Sequence, residues 1–134
     1  MTPQSTLDRF FPAMFSDDRE MLATLLTEGV VWHAPPFARE RFGDPVGRQA
    51  VLDFLCGAGD EFYQPGSFSI ERELQAVEED RAIVMAILRA TSARGEPYEN
   101  RYAFGFRFRD GQIDEAWELL DSIHFERQMG KAQA

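Results

Sequence analysis

From residue 102 to residue 108 every second side chain is aromatic: Tyr102, Phe104, Phe106 and Phe108 alternate with Ala103, Gly105 and Arg107. A period of two is the signature of a strand with one apolar face. Asp110–Gly111 follows, the strongest short-range sign of a two-residue hairpin, because both central residues of such a turn take positive φ. That turn sets Arg109 against Gln112 and so fixes the pairing of the two strands. On one face Phe108 meets Ile113, Phe106 meets Glu115, Phe104 meets Trp117 and Tyr102 meets Leu119. On the other, Arg107 meets Asp114, Gly105 meets Ala116, Ala103 meets Glu118 and Arg101 meets Leu120. The first face is mostly apolar and the second carries an opposite-charge pair, and a slip of one residue would mix them.

The same register places Asn100 opposite Asp121, an amide facing a carboxylate at the rim of an apolar floor. A carboxylate there must be hydrogen-bonded or have its pKa raised. The Asn NH₂ group can donate to it. A partly desolvated carboxyl beside a donor is what a general acid or base requires. The plain alternative is a polar pair where the sheet meets water.

Elsewhere the pattern alternates between helix and strand. Leu7, Phe10, Phe11, Met14 and Phe15 stand at helical spacing behind Ser5 and Asp8, which read as a capping box. Asp17 and Glu20 open a second helix that Gly29 stops. Residues 30–34 form a short strand ended by Pro35 and Pro36, a loop covers 35–46, and a third helix starts at Gly47 with Val51, Phe54, Leu55 and Phe62 inward. Beyond Gly66 the period becomes two. Phe68, Ile70, Leu74 and Ala76 mark a strand wetted on one face, and residues 82–88, apolar at both parities, a strand covered on both. The last strand spans 112–124. The sum is an α+β domain covering 1–134, three N-terminal helices on one face of a mostly antiparallel sheet.

Composition limits the partners. Fourteen basic against 23 acidic side chains leave a net charge of −9, which argues against nucleic acid and anionic membranes. Cys56 is the only cysteine and reads as a small buried side chain. His33 and His124 lie far apart in the chain with no metal-ligand spacing, so no metal and no cofactor are expected. The N-terminus lacks the charge and apolar pattern of a signal peptide, and the expected location is the cytoplasm.

Three segments, residues 30–36 (VVWHAPP), 47–55 (GRQAVLDFL) and 106–121 (FRFRDGQIDEAWELLD), resemble the SnoaL-like branch of the nuclear transport factor 2 superfamily. That branch is related to ketosteroid isomerases, limonene-epoxide hydrolases and polyketide cyclases. The resemblance runs over roughly residues 5–125 and implies a cone-shaped α+β barrel of the cystatin-like type, holding a small hydrophobic molecule. It implies a pocket floored by Tyr102, Phe104, Trp117 and Leu119, with Trp32, Phe54 and Tyr63 as walls. It also implies a homodimer formed through the other face of the sheet, where Ala103 and Gly105 leave room. Ketosteroid isomerases carry their carboxylate base just after the first strand, where this chain has Ala34. Polyketide cyclases use an acidic residue and a histidine, roles open to Asp121 and His33.

Trp32 and His33 alternate, so one of them points inward. Two readings remain. One is a cofactor-free enzyme with Asp121 as acid/base, Asn100 as its orienter, and His33 and Tyr102 as polar partners. The other is a ligand-binding or dimerisation module without chemistry.

Overall fold

The computed structural model describes residues 1–57 and 59–133. Eleven elements occur among them: α1 (Pro3–Phe15), α2 (Arg19–Leu25), β1 (Leu26–His33), α3 (Pro36–Phe42), α4 (Arg48–Gly57), α5 (Gly59–Phe62), β2 (Ser69–Glu78), β3 (Arg81–Thr91), β4 (Pro97–Arg109), β5 (Gln112–Leu120) and α6 (Ser122–Gln133). The strands form one curved sheet in the order β1-β5-β4-β3-β2. β1 runs parallel to β5 and all other neighbours are antiparallel, which makes a cone-shaped α+β fold whose sheet does not close. Among the described residues no helix is long and apolar enough to cross a membrane.

Local chemistry sets the element boundaries. Thr2, not Ser5, caps α1: its Oγ1 accepts from the Ser5 N–H at 3.1 Å while the Ser5 hydroxyl oxygen accepts from the Thr2 N–H at 3.0 Å. Asp18, not Asp17, caps α2 through the Met21 N–H at 3.1 Å. Gly29 does not stop that helix, because the chain is already extended from Leu26 and Gly29 lies inside β1. The region read as a loop contains α3, started by Pro36 at its first turn. The final strand ends at Leu120, not at residue 124, because Asp121 accepts the His124 N–H at 3.0 Å and starts α6.

The hairpin turn forms as its residue types require. Asp110 (φ 51°) and Gly111 (φ 82°) take the left-handed region, and Arg109 pairs with Gln112 and Phe108 with Ile113. A side chain at 111 would strike the Met1 carbonyl. The Thr6 hydroxyl donates to the Gly111 carbonyl and ties α1 to the turn.

One step further along, the expected register fails. Arg107 pairs with Glu115, not with Asp114, because β5 bulges at Asp114. Thr27 of β1 holds the extra residue by donating to Asp114 Oδ1 at 2.8 Å. Every later side chain of β5 therefore changes face. Gly105 meets Trp117, Phe104 meets Glu118, Ala103 meets Leu119 and Tyr102 meets Leu120. Trp117 and Leu119 stand on the outer face, 36% and 61% exposed, and do not floor the inner cavity. A second irregularity between Arg72 and Leu74 in β2 turns Leu74 and Ala76 outward in the same way.

The core lies between the inner face and the helices. Phe10 and Phe11 of α1 meet Trp32 of β1 and Phe104 and Phe106 of β4, with ring centroids 5.4–6.5 Å apart. These rings fill the cone at the hairpin end. The space that remains is at the other end, near Tyr102.

Candidate functional site

The inner cavity has a volume of about 110 Å³. The sheet contributes Ile70, Leu88, Tyr102, Phe104 and Glu118 to its wall. Helices and their ends contribute Met14, Phe37, Phe54, Leu55, Phe62, Tyr63 and Phe125. The lining is almost wholly apolar, and no lysine, arginine or histidine belongs to it among the described residues.

Glu118 is the exception. Its carboxyl lies deep in protein, and Oε1 accepts from the Trp32 indole N–H at 3.0 Å. The residue as a whole is half-buried and borders the cavity. Burial disfavours the charged form and pushes the pKa up to about 7, while the single indole donor acts in the opposite direction. A carboxyl poised near neutrality can both take and give a proton at physiological pH.

Three phenols stand beside it. Asn100, 5% exposed, donates through Nδ2 to the Tyr98 hydroxyl at 2.8 Å and to the Asp121 main-chain carbonyl at 3.1 Å. The Tyr98 and Tyr102 hydroxyls lie 3.4 Å apart, and the Tyr63 ring is 5.8 Å from that of Tyr98. Burial pushes the phenols of Tyr63, Tyr98 and Tyr102 above their ordinary range, so they stay protonated as donors. The amide at position 100 is thus satisfied by a phenol and a backbone carbonyl, not by the Asp121 side chain.

The residues expected from sequence fall into two groups. Tyr102, Phe104, Phe54 and Tyr63 line the cavity, Trp32 stands beneath Glu118 and packs on Phe54 at 6.4 Å, and Asn100 supports the phenols from behind. His33, Trp117, Leu119 and the Asp121 carboxylate do not reach it. Of the pair at 32 and 33, Trp32 points inward. His33 lies on the outer face, stacked on Trp117 at 5.1 Å, with Nε2 2.7 Å from Glu115 Oε2 and Nδ1 3.5 Å from Asp44 Oδ2. Asp121 leaves the inner face because it caps α6. Glu118 was missed because an unbroken register sets it outside, opposite Ala103.

A larger hollow of about 620 Å³ lies on the outer face, bordered by Ile83, Ala103, Gly105, Arg107, Trp117 and Leu119. It is open and holds no buried titratable group, so its size does not make it the reactive site. Among the described residues no three His, Cys, Asp or Glu side chains are grouped to hold a metal ion.

The curved sheet and the helices thus border an apolar cavity with one carboxyl at its wall. Comparison with known proteins places the chain within a class. The family model for the SnoaL-like domain matches residues 7–116, and the chain belongs to that family. No curated protein matches it. Among solved structures, a loop-truncated variant of IdmH is 26% identical over 96% of this chain and 100% of its own, with a TM-score of 0.81. Bal32a, from a soil-derived mobile gene cassette, is 25% identical over 95% of both chains, also with a TM-score of 0.81. An NTF2-like protein of unknown function from Burkholderia pseudomallei shares the fold, with a TM-score of 0.82 at 16% identity over 96% of this chain and 98% of its own.

Proposed function

We propose that the inner cavity binds a small, neutral, hydrophobic molecule carrying a carbonyl oxygen, and that Glu118 moves a proton on it without a cofactor. The carrying observation is a carboxyl at the wall of an apolar cavity that takes a hydrogen bond from a neutral indole; burial pushes its pKa up to about 7. The reaction class that fits is proton abstraction next to a carbonyl. The Glu118 carboxylate takes the proton from carbon, the substrate oxygen gains electron density, and a Tyr63 or Tyr102 hydroxyl donates to that oxygen. The carboxyl then returns a proton to carbon. Asn100, expected to orient Asp121, here orients the phenols instead, through Tyr98. Among the described residues no cation lines the cavity, which favours a neutral ligand, since an anion would lie unpaired beside Glu118.

The test is exchange of α-hydrogen for deuterium in cyclohexanone, followed by NMR in D₂O. Wild-type protein should accelerate it by about 10²–10⁴, the usual yield of a positioned base. The rate should rise as pH passes through about 7 and then level off, because the base form carries the reaction. Glu118→Gln should abolish the acceleration and leave binding in place. Binding with no exchange in the wild type would leave a ligand-binding module; no binding would remove the pocket reading.

A second copy of the chain is the proposed partner for the outer face. Ile83 (59% exposed) and Leu119 border its hollow, with Leu74 on the same face. Clustered apolar exposure of this kind marks an association surface, and the resemblance set out above points to the same face.

A further inference from the structure

The inner cavity has a neighbour. A second space of about 170 Å³ lies beside it, bordered on its far side by Phe15, Asp17, Cys56, Gln64, Pro65 and Gly66. The two share four lining side chains, Met14, Leu55, Tyr63 and Phe68, which form the wall between them. An apolar cavity of about 150 Å³ accommodates one benzene ring. The inner cavity alone, at about 110 Å³, therefore admits no more than a single ring. Joined, the two spaces approach twice the one-ring volume.

The four wall residues differ in how firmly they are held. Tyr63 packs on Phe62, Phe68 and Tyr98 at 5.6–6.4 Å, and its phenol is buried among the other tyrosines. Phe68 is fixed in turn by the Tyr63 ring. Leu55 is carried by α4, whose neighbouring Phe54 packs on Trp32. Met14 sits in the last turn of α1, is half-buried, and has an unbranched side chain with three rotatable bonds. Its removal leaves the aromatic part of the wall intact and opens the partition.

Resting on the pocket reading above, we infer that this wall determines specificity: it holds the site to single-ring ligands, and Met14 sets the limit. The preference runs against simple hydrophobicity, because a two-ring ligand offers more apolar surface and would bind tighter wherever space allowed.

Calorimetric titration with cyclohexanone and with 2-decalone tests it. The wild type should bind cyclohexanone at least about tenfold more tightly, a difference of about 1.4 kcal/mol. In Met14→Ala, the affinity for 2-decalone relative to cyclohexanone should rise at least about tenfold. Leu55→Ala, which thins the same wall from α4, should act in the same direction if Met14→Ala folds poorly, and Met14→Leu should keep the wild-type preference. Equal binding of both ligands to the wild type overturns the inference, as does an unchanged preference in both alanine variants. Either result leaves the pocket reading standing provided cyclohexanone binds and Glu118→Gln abolishes its exchange. Failure of cyclohexanone to bind the wild type removes both.

Discussion

Glu115 and Glu118 lie three residues apart on β5, and their surroundings have almost nothing in common. Glu115 faces outward with two basic partners, His33 at 2.7 Å and Arg107 at 3.3 Å. Glu118 faces inward, takes one hydrogen bond from a neutral indole, and is otherwise enclosed by apolar and phenolic groups. The first belongs to a cluster of polar contacts on the outer face. The second sits where either protonation state is accessible near pH 7. The residue type is the same, so the difference lies in which side of the sheet each occupies. One extra residue, Asp114, decides that for every position after it.

Inserting one alanine after Glu115 is the most severe way to break the contrast. With the bulge kept, the added residue would set Trp117 opposite Phe104 in the filled core and Glu118 opposite Ala103 on the solvent side, while Trp32 lost its acceptor. The cost of displacing packed rings and leaving a buried donor unsatisfied should exceed about 4 kcal/mol. The expected result is loss of the cooperative urea transition. An insertion variant that kept its transition midpoint would show that the residue count along β5 is not what sorts the faces.

A milder change sharpens the contrast through pH. Glu118 has its folded pKa raised from 4.5 to about 7, so the folded chain holds a proton that the unfolded chain has released between those values. Stability is full below the unfolded value and falls as pH rises toward 7, by about 3 kcal/mol in total. Glu118→Gln keeps an acceptor for the Trp32 indole and removes the titration. It should therefore be more stable than the wild type at pH 8 by about that amount and equal to it near pH 4, as measured by urea unfolding at both pH values. Equal stability at pH 8 would mean that the carboxyl is better solvated than its burial implies.

These effects also show which parts of the molecule were legible beforehand. The aromatic alternation of β4, the Asp110–Gly111 turn and the helical spacing of Leu7, Phe10 and Phe11 are local patterns, and each forms as read. Inward placement of Tyr102, Phe104 and Asn100 followed from the same strand. The bulge could not be read, because Asp114 is held out of register by Thr27, 87 positions away in the chain. Charge pairing misled too, since Arg107–Asp114 and Arg107–Glu115 look equally good on paper. One sign did favour the true register: Gly105 opposite Trp117 sets the smallest residue under the largest, and a Cβ there would lie 3.4 Å from the indole. The change from strand to helix at Asp121 was also available, in an aspartate placed three residues before His124.

The smallest expected effect tests the outer face. Leu119 is 61% exposed and lines no part of the inner cavity, so Leu119→Lys should change the stability of a single chain by no more than about 0.5 kcal/mol. Its consequence should appear in assembly instead. A lysine in the middle of the Ile83–Trp117–Leu119 surface would meet its own copy across a two-fold axis, adding like charge to a lost apolar contact. Light scattering after size exclusion should find the wild type at twice the chain mass of 15.3 kDa and the variant at the single-chain mass. Glu118-dependent exchange should persist in that monomer, because the Trp32 indole that holds Glu118 and the Tyr63 and Tyr102 phenols belong to its own chain. A wild type of single-chain mass would leave the outer face without its proposed partner, and exchange lost along with the dimer would mean that the inner cavity depends on the outer face after all.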